Sequence, residues 1–522
     1  MKNLLFPLAL LTLATPAWGD TSEEFSKKES NLPTKGSAPD SMTETTAVVT
    51  ENKILDSFVR VNATIQTFDA GQPWERNNPA RRSGLGTVVS PTEILTTAEM
   101  VANQTYLELE SADSASSIPA KVLAIDYKAN LALLAPENPD EANFLAGKTP
   151  LEIAPPAEIG DEVTVWQFES NGITLKTTAR IRAVETYASF LSGYSFLSYV
   201  VKGSMQSASS SFTLPVTRDR KLLGVLTTYD SDDQISQVIT PEILSIFLRD
   251  ARDGDYQGFP SLGVASERTD DRSFRAYLDL SEDDGGLYIS KVKPGSPADE
   301  AGVREGDVIL AANGMAIDRK GYFDHPSYGP LPWTVLIRAQ KTVGETLPMT
   351  IFRDGEKKSL TATLKAPEPP LVPRHLNDSP PPFLIKGGLV FQELSRAYLE
   401  AYGDKWTTRA PLALMDVLEN EDSYREGRDS VVFLSRVIPN PATIGYDDLN
   451  GEIVNSANGE PVTDIAALAK SLSQTPENGI HTIELDDDPG TLYLDARAAD
   501  AVDQQLLRSG LPSLSRLPGE KD

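Results

Sequence analysis

The stretch that decides the fold begins Gly286-Leu287-Tyr288-Ile289-Ser290-Lys291-Val292-Lys293-Pro294 and ends Gly306-Asp307-Val308-Ile309-Leu310-Ala311-Ala312-Asn313-Gly314. It reads as strand, short helix, strand and Asn-Gly turn, because β-branched and apolar residues fill the outer runs and Asn-Gly favours a tight reversal. Between them Ser296 is placed to cap a helix, Pro297 to start it and Gly302 to end it. The same pattern returns 145 residues later (433 − 288 = 145). Tyr288 to Pro294 repeats as Phe433-Leu434-Ser435-Arg436-Val437-Ile438-Pro439, and Gly306 to Gly314 repeats as Gly451-Glu452-Ile453-Val454-Asn455-Ser456-Ala457-Asn458-Gly459. A gapless repeat at constant offset predicts two copies of one structural unit.

Towards the N-terminus the pattern changes. Short apolar, β-branched runs at residues 86–90, 121–125, 131–135, 162–168, 175–182, 196–201, 222–228 and 234–239 alternate with turn signals, which predicts a β-barrel or sandwich. Thr240-Pro241-Glu242 then predicts a closing helix through about residue 249, with Thr240 as cap and Pro241 at the first position. At 522 residues the chain is too long for one core. Its 48 Lys and Arg against 75 Asp and Glu give a net charge of −27, which argues against nucleic acid or an anionic membrane as partner. Cysteine is absent, so disulfides, thiolate nucleophiles and cysteine-held metals are excluded. The three histidines are His325, His375 and His481, so the first 324 residues cannot contain a Ser-His-Asp triad.

Gly84-Leu85-Gly86-Thr87-Val88-Val89 and Ile94-Leu95-Thr96-Thr97-Ala98-Glu99-Met100-Val101 resemble the strand pair and histidine helix of HtrA/Deg serine proteases. Tyr127-Lys128-Ala129-Asn130-Leu131-Ala132-Leu133-Leu134 is similar to that family's aspartate segment. Ser209-Ser210-Ser211-Phe212-Thr213-Leu214-Pro215, before Leu222-Leu223-Gly224-Val225, stands where the family has its Gly-Asn-Ser-Gly-Gly-Pro loop. The resemblance implies a chymotrypsin-like double β-barrel whose triad positions carry Glu99, Asn130 and Ser211, with Ser209 at the oxyanion position. An unperturbed Glu, with a pKa near 4.3, is a weaker base than histidine by roughly two units. Side chains at Ser209, Phe212 and Thr213 are expected to disfavour a turn in which the family uses glycine.

The residues 286–314 also match the core pattern of PDZ domains, and Ser261-Leu262-Gly263-Val264 resembles the PDZ loop that holds a peptide carboxylate. Pro332 and residues 333–341 are expected to form that module's second helix, and Arg353-Asp354-Gly355-Glu356 a hairpin turn. Gly387-Gly388-Leu389-Val390-Phe391 and Asn440 to Tyr446 are similar to the degenerate second PDZ domain of plant-type Deg proteases, which the family associates with contacts between subunits.

These readings predict a mainly β protein. Residues 1–19 read as a signal peptide, with Lys2 before an apolar run and Ala17-Trp18-Gly19 at the cleavage site. Residues 20–52 form a disordered leader, 53–255 a trypsin-like domain, 256–367 a PDZ domain, 368–505 a degenerate PDZ-like domain and 506–522 a flexible tail. The expected function is that of an exported, periplasmic or extracellular pseudoprotease. It would bind exposed or C-terminal peptide segments of proteins as a chaperone, adaptor or regulator. Two alternatives stay open: an active serine endopeptidase using a non-standard site around Ser211, and a non-catalytic subunit that regulates an active paralogue. No cofactor, metal, nucleic acid or membrane insertion is expected. The acidic runs Asp230 to Asp233 and Asp486 to Asp488 read as solvated turns, and His325 as a surface residue. The resemblance implies a homo-oligomer, a trimer or multiple of trimers, with Phe58, Phe68 and Trp74 as candidate packing residues.

Overall fold

In the computed structural model, residues 54–111, 115–169, 173–206, 212–487 and 489–519 are described. The signal peptide, the leader, Ser209 and Ser211 lie outside the described residues, as do Asp488 and residues 520–522.

Twelve strands make two closed barrels. The first contains β1 (Phe58–Ile65), β2 (Ala80–Ser90), β3 (Glu93–Thr96), β4 (Gln104–Glu110), β5 (Ser117–Asp126) and β6 (Leu131–Pro136), hydrogen-bonded in the order β1-β2-β3-β6-β5-β4. The second contains β7 (Glu162–Phe168), β8 (Thr174–Tyr187), β9 (Phe196–Lys202), β10 (Leu214–Arg218), β11 (Lys221–Asp230) and β12 (Ile235–Ile239). Its order, β7-β8-β9-β12-β11-β10, repeats the first barrel's topology. Period-two alternation places the core: along β8, Thr177, Ala179 and Ile181 are buried while Lys176, Thr178, Arg180 and Arg182 are exposed. Closing the sheets removes their edges. The helix Pro241–Asp253 then packs Ile243, Leu244, Phe247 and Leu248 inward and ends at Gly254, whose φ is +94°.

Two further sheets follow. One joins β13 (Val264–Arg268), β14 (Leu287–Val292), β15 (Val308–Ala312), β19 (Thr346–Arg353) and β20 (Glu356–Thr363) in that order; β16 (Met315–Ala316) pairs with β15, and the insertion hairpin is β17 (Tyr322–His325) with β18 (Gly329–Pro332). Ser296 caps the helix Pro297–Glu300 by accepting the Asp299 N–H, and Gly302 follows at φ +82°. Asp354 and Gly355 both have positive φ, as a type I′ hairpin requires. The second helix is shorter than the sequence implies, a single turn Val335–Arg338.

The other sheet joins β21 (Phe383–Lys386), β22 (Leu389–Glu393), β23 (Val432–Val437), β24 (Glu452–Ala457), β26 (Ile480–Leu485), β27 (Thr491–Asp495) and β28 (Ser515–Arg516) in the order β27-β26-β24-β23-β22-β21-β28, with β25 (Glu460–Pro461) on β24. The run β22-β23-β24-β26-β27 thus matches β13-β14-β15-β19-β20. Strands β21 and β28 are additions. The repeat is structural.

Three expectations need correction. Phe58 is fully buried in the barrel core and so is used inside the chain, while Phe68, against Arg76 and Arg516, and Trp74, edge-on against Phe383, stay partly exposed. The stretch read as a flexible tail begins inside the helix Ala496–Arg508 and goes on to supply β28. His325 stacks on Tyr328 with ring centroids 4.5 Å apart, beneath the contact between hairpin β17–β18 and the second barrel, and is half-buried.

Candidate functional site

The cleft between the barrels gathers the triad-equivalent residues that are described. Glu99 sits in the one-turn helix Ala98–Val101 after β3, and Asn130 stands one residue before β6. Asn130 has φ +56°, a left-handed conformation that Asn tolerates better than most residues, and it is completely buried. The turn leading to it is set by Asp126, whose carboxylate accepts the Ala129 N–H at 2.7 Å. Asn130 Oδ1 accepts the Glu99 backbone N–H at 2.8 Å. Its Nδ2 has no partner of regular hydrogen-bond geometry, yet lies near enough to the Glu99 carboxylate to favour the ionised form. Burial is the larger influence and pushes the Glu99 carboxyl above its ordinary pKa, opposed by the nearby Arg82 and by Asn130. Arg82 also donates to the Glu99 carbonyl oxygen. The Asn130 amide oxygen thus holds the Glu99 backbone N–H, where a protease has a carboxylate that accepts from an imidazole N–H.

Ser209 and Ser211 lie outside the described residues, but the next two residues along, Phe212 and Thr213, are fastened across the cleft. Phe212, on the second barrel's side, is half-buried against the core of the first barrel. Thr213 Oγ1 lies 2.7 Å from Thr97 Oγ1, and its carbonyl accepts the Leu85 N–H at 3.3 Å. Thr213 has φ +53°, which corrects the expectation that a side chain here would turn the backbone out of the glycine-like region. The left-handed backbone costs a non-glycine residue about 1–2 kcal/mol, and a buried hydrogen bond returns about 1 kcal/mol. Sequence reasoning missed this clamp, since two threonines 116 residues apart give no signal.

A second site lies at the edge strand β13. Leu262 and Gly263 point their carbonyls inward, to the N–H groups of Ala298 (3.0 Å) and Lys293 (2.9 Å). A trans peptide sets each following N–H opposite its carbonyl, so the Gly263 and Val264 amides face the other way. The Gly263 N–H reaches only the Ser261 hydroxyl, at 3.2 Å. Gly263 has φ +80°, and a Cβ there would come within 2.3 Å of Ser296 Cβ. All four expected loop residues, Ser261, Leu262, Gly263 and Val264, are thus brought together. Beyond them, β13 pairs only with β14 among the described residues, and Ala265 and Glu267 are exposed.

Among the described residues no group of acidic or histidine side chains is arranged to hold a metal ion, and no helix is long and apolar enough to cross a membrane. Asp230 accepts the N–H groups of Asp232 and Asp233, as a local turn.

Models of the PDZ domain match residues 288–322 and 372–511. Across 479 residues the chain is 27% identical to "Protease Do-like 2, chloroplastic" of Arabidopsis thaliana, covering 90% of this chain and 76% of that one. It is 26% identical over 350 residues to "Protease Do-like 4, mitochondrial" of the same plant, covering 66% of each. It is 23% identical over 503 residues to "Probable periplasmic serine endoprotease DegP-like" of Ectopseudomonas mendocina (strain ymp), covering 92% of this chain and 93% of that one. With its two trypsin-like barrels and two PDZ-like modules, this chain is a homologue of the Deg/HtrA proteases with PDZ domains, plant-type Deg proteins among them.

Proposed function

We propose that the protein is a catalytically silent relative of the Deg/HtrA proteases. It would capture exposed or C-terminal peptide segments on its first PDZ-like module, as a chaperone, adaptor or regulator. The observation that carries this is the pairing of Glu99 with Asn130 in the cleft of a chain whose first histidine is His325. Serine attack needs a base that takes the hydroxyl proton near the working pH, and an amide-flanked carboxylate is poorly matched to that task. Phe212, packed across the cleft, supports the same reading. Peptide capture is supported by the open edge of β13 and by the outward amides of Gly263 and Val264, into which an extended peptide would add as a strand with its carboxylate on the loop. Burying one apolar terminal side chain, worth roughly 1.5–3 kcal/mol, with a few main-chain bonds gives an affinity on the order of micromolar. Export to a periplasm and assembly into trimers or multiples of trimers belong to this proposal.

A second reading, an active endopeptidase with a carboxylate base, draws on the raised pKa of Glu99, which makes it a stronger base than a free glutamate. Fluorophosphonate labelling and casein digestion from pH 3 to 9 distinguish the two. No labelling and no digestion are expected. Stoichiometric labelling that disappears in Ser211→Ala would establish the second reading instead. Calorimetric titration of the full chain with an apolar-ended peptide and its C-terminal amide tests capture; equal affinities would rule out use of the carboxylate loop.

A further inference from the structure

Two cations from separate segments flank the ring of one tyrosine, and a third lies beside the next two residues along. Tyr194 lies in the loop between β8 and β9. Lys128, between β5 and β6, holds its Nζ 5.3 Å from the Tyr194 ring centre, and Arg374, between β20 and β21, holds its guanidinium 5.4 Å from it. That guanidinium also lies against Gly193, where a Cβ would meet its Nη1 at 2.5 Å. Arg338, ending the helix Val335–Arg338, donates to the Ser195 carbonyl at 3.2 Å and covers the Phe196 ring. Among the described residues none of these three has a carboxylate oxygen within 4.0 Å.

That is unusual for a chain with 75 acids to 48 cations, where chance alone favours an acidic neighbour. Asp126, which acts on Lys128 through space, takes hydrogen bonds from the Ala129 N–H and the Tyr256 hydroxyl, and Asp378 from the Asn103 N–H and the Tyr127 hydroxyl. His375, its ring tilted against Tyr127 with centroids 5.0 Å apart, adds a further group that gains charge on protonation. Burial lowers the Lys128 pKa; Asp126 opposes this, while Arg338 and Arg374 lower it further. Like charges held together and partly out of water are unfavourable until an anion joins them. The aromatic faces hold the cations in place beforehand, so an incoming anion need not order them.

We propose that Lys128, Arg338 and Arg374 form a binding site for a small multivalent oxyanion, of phosphate or polycarboxylate type. A guanidinium fork matches either group with paired hydrogen bonds, and three positive charges suit a ligand of more than one negative charge. The bound anion would tie together the first barrel, the loop carrying Tyr194, the PDZ-like helix and the segment between the two modules.

The test is calorimetric titration of the full chain with pyrophosphate and, separately, citrate, at ionic strength matched with sodium chloride. Saturable one-to-one binding of at least one of them is expected. Lys128→Gln should weaken it about tenfold, and Lys128→Gln with Arg374→Glu should abolish it. Arg374 is exposed, so Arg374→Glu alone provides a variant that folds, and it should weaken binding more than tenfold. Binding of pyrophosphate alone identifies a phosphate site, and of citrate alone a carboxylate site. Absence of saturable binding by either anion, or binding unchanged in the double variant, overturns the proposal.

Discussion

The two PDZ-like modules build the same loop on the same hydrogen-bond frame and differ in what lies beside it. Gly263 and Gly388 occupy matching positions, since Val264 faces Val292 and Leu389 faces Val437, and 437 − 292 = 145. The Lys293 N–H donates to Gly263 O at 2.9 Å, and the Ile438 N–H to Gly388 O at 2.7 Å. The next carbonyl back is held by the Ala298 N–H in the first module and by the Asn440 side chain in the second. Outside this frame the modules part. In the first, Ser261 pairs with Lys365 and the edge of β13 stays open. In the second, the chain before the loop doubles back as β21, through Gly387 and Gly388, and covers β22; β28 then covers β21. An edge strand exposes unpaired amides and carbonyls, so a module meant to bind strands keeps one, and a module with fixed contacts covers it. The second module has filled its own groove.

The largest effects are expected from substituting the two glycines. Gly263→Val would drive a Cβ to within 2.3 Å of Ser296, and Gly388→Val to within 2.1 Å of Asn440 Nδ2 and 2.7 Å of Ile438 O. Both positions also have positive φ, so each variant should lose more than about 3 kcal/mol by urea denaturation. Binding should respond differently. Gly263→Val is expected to remove titratable peptide binding, whereas Gly388→Val, measured where it is still folded, should leave it within about twofold. A loss of binding through Gly388 would mean that the second groove is open after all.

A somewhat smaller effect is expected from the ion pair between Asp307, just before β15, and Arg353 at the end of β19. Asp307 is almost wholly buried and Arg353 holds it with two bonds of 2.6 Å. Asp307→Ala leaves a largely buried guanidinium unpaired and should cost about 3–5 kcal/mol. The loss should appear in the first module's hydrogen-exchange protection, with β21 to β28 unaffected. Equal loss in both sheets would show that the modules unfold as one unit.

Truncation after Gly510 comes next. It removes β28, including the Ile385 N–H bond to Leu514 O, the Arg516 bond to Pro73 O at 2.9 Å, and the Arg516 guanidinium stacked over Phe68 and Phe383. Two hydrogen bonds and two cation–π contacts of one guanidinium suggest a loss of about 2–3 kcal/mol. Stability unchanged by truncation would show that β28 contributes nothing to the covered edge.

How far the sequence reveals this depends on the kind of signal each element carries. The repeat, the Ser296 cap and the Asp354-Gly355 turn are legible because each requires a local residue type at a fixed spacing. All eight strand runs of the barrel region fall within or across observed strands. β1 carries a period-two signal, Val59, Val61, Ala63 and Ile65 alternating with Arg60, Asn62 and Thr64, that the eight runs leave out; β10 escapes a local reading because Pro215 sits inside it, and β3 because it has four residues. β28 is hard to read locally: Ser515 and Arg516, between Leu514 and Leu517, become a strand by pairing with Leu384 and Phe383, with Phe68 and Phe383 receiving Arg516. In the cleft the substitutions Glu99 and Asn130 can be read directly. Their mutual contact, the Thr97–Thr213 clamp and the inward turn of Phe212 are tertiary facts that no local pattern encodes.

The finest test of the comparison concerns the turn that lets β21 cover its neighbour. Asp503, in the helix Ala496–Arg508, is buried; its carboxylate accepts the Gly387 N–H at 2.7 Å and lies 3.3 Å from Lys386 Nζ. Burial raises its pKa, against the opposing pull of the Gly387 N–H and Lys386. A carboxyl whose pKa is higher in the folded chain than in the unfolded chain favours folding when protonated. Its contribution is therefore full below the ordinary value of about 4 and falls as pH rises through the folded value. Asp503→Asn keeps an oxygen for the Gly387 N–H and removes the charge. The variant should gain slightly on the wild type between pH 4 and pH 7, seen as a small rise in the difference of their urea midpoints. A difference that instead moves against the variant as pH rises would mean that Lys386 outweighs burial, and that an ion pair fixes the covering strand.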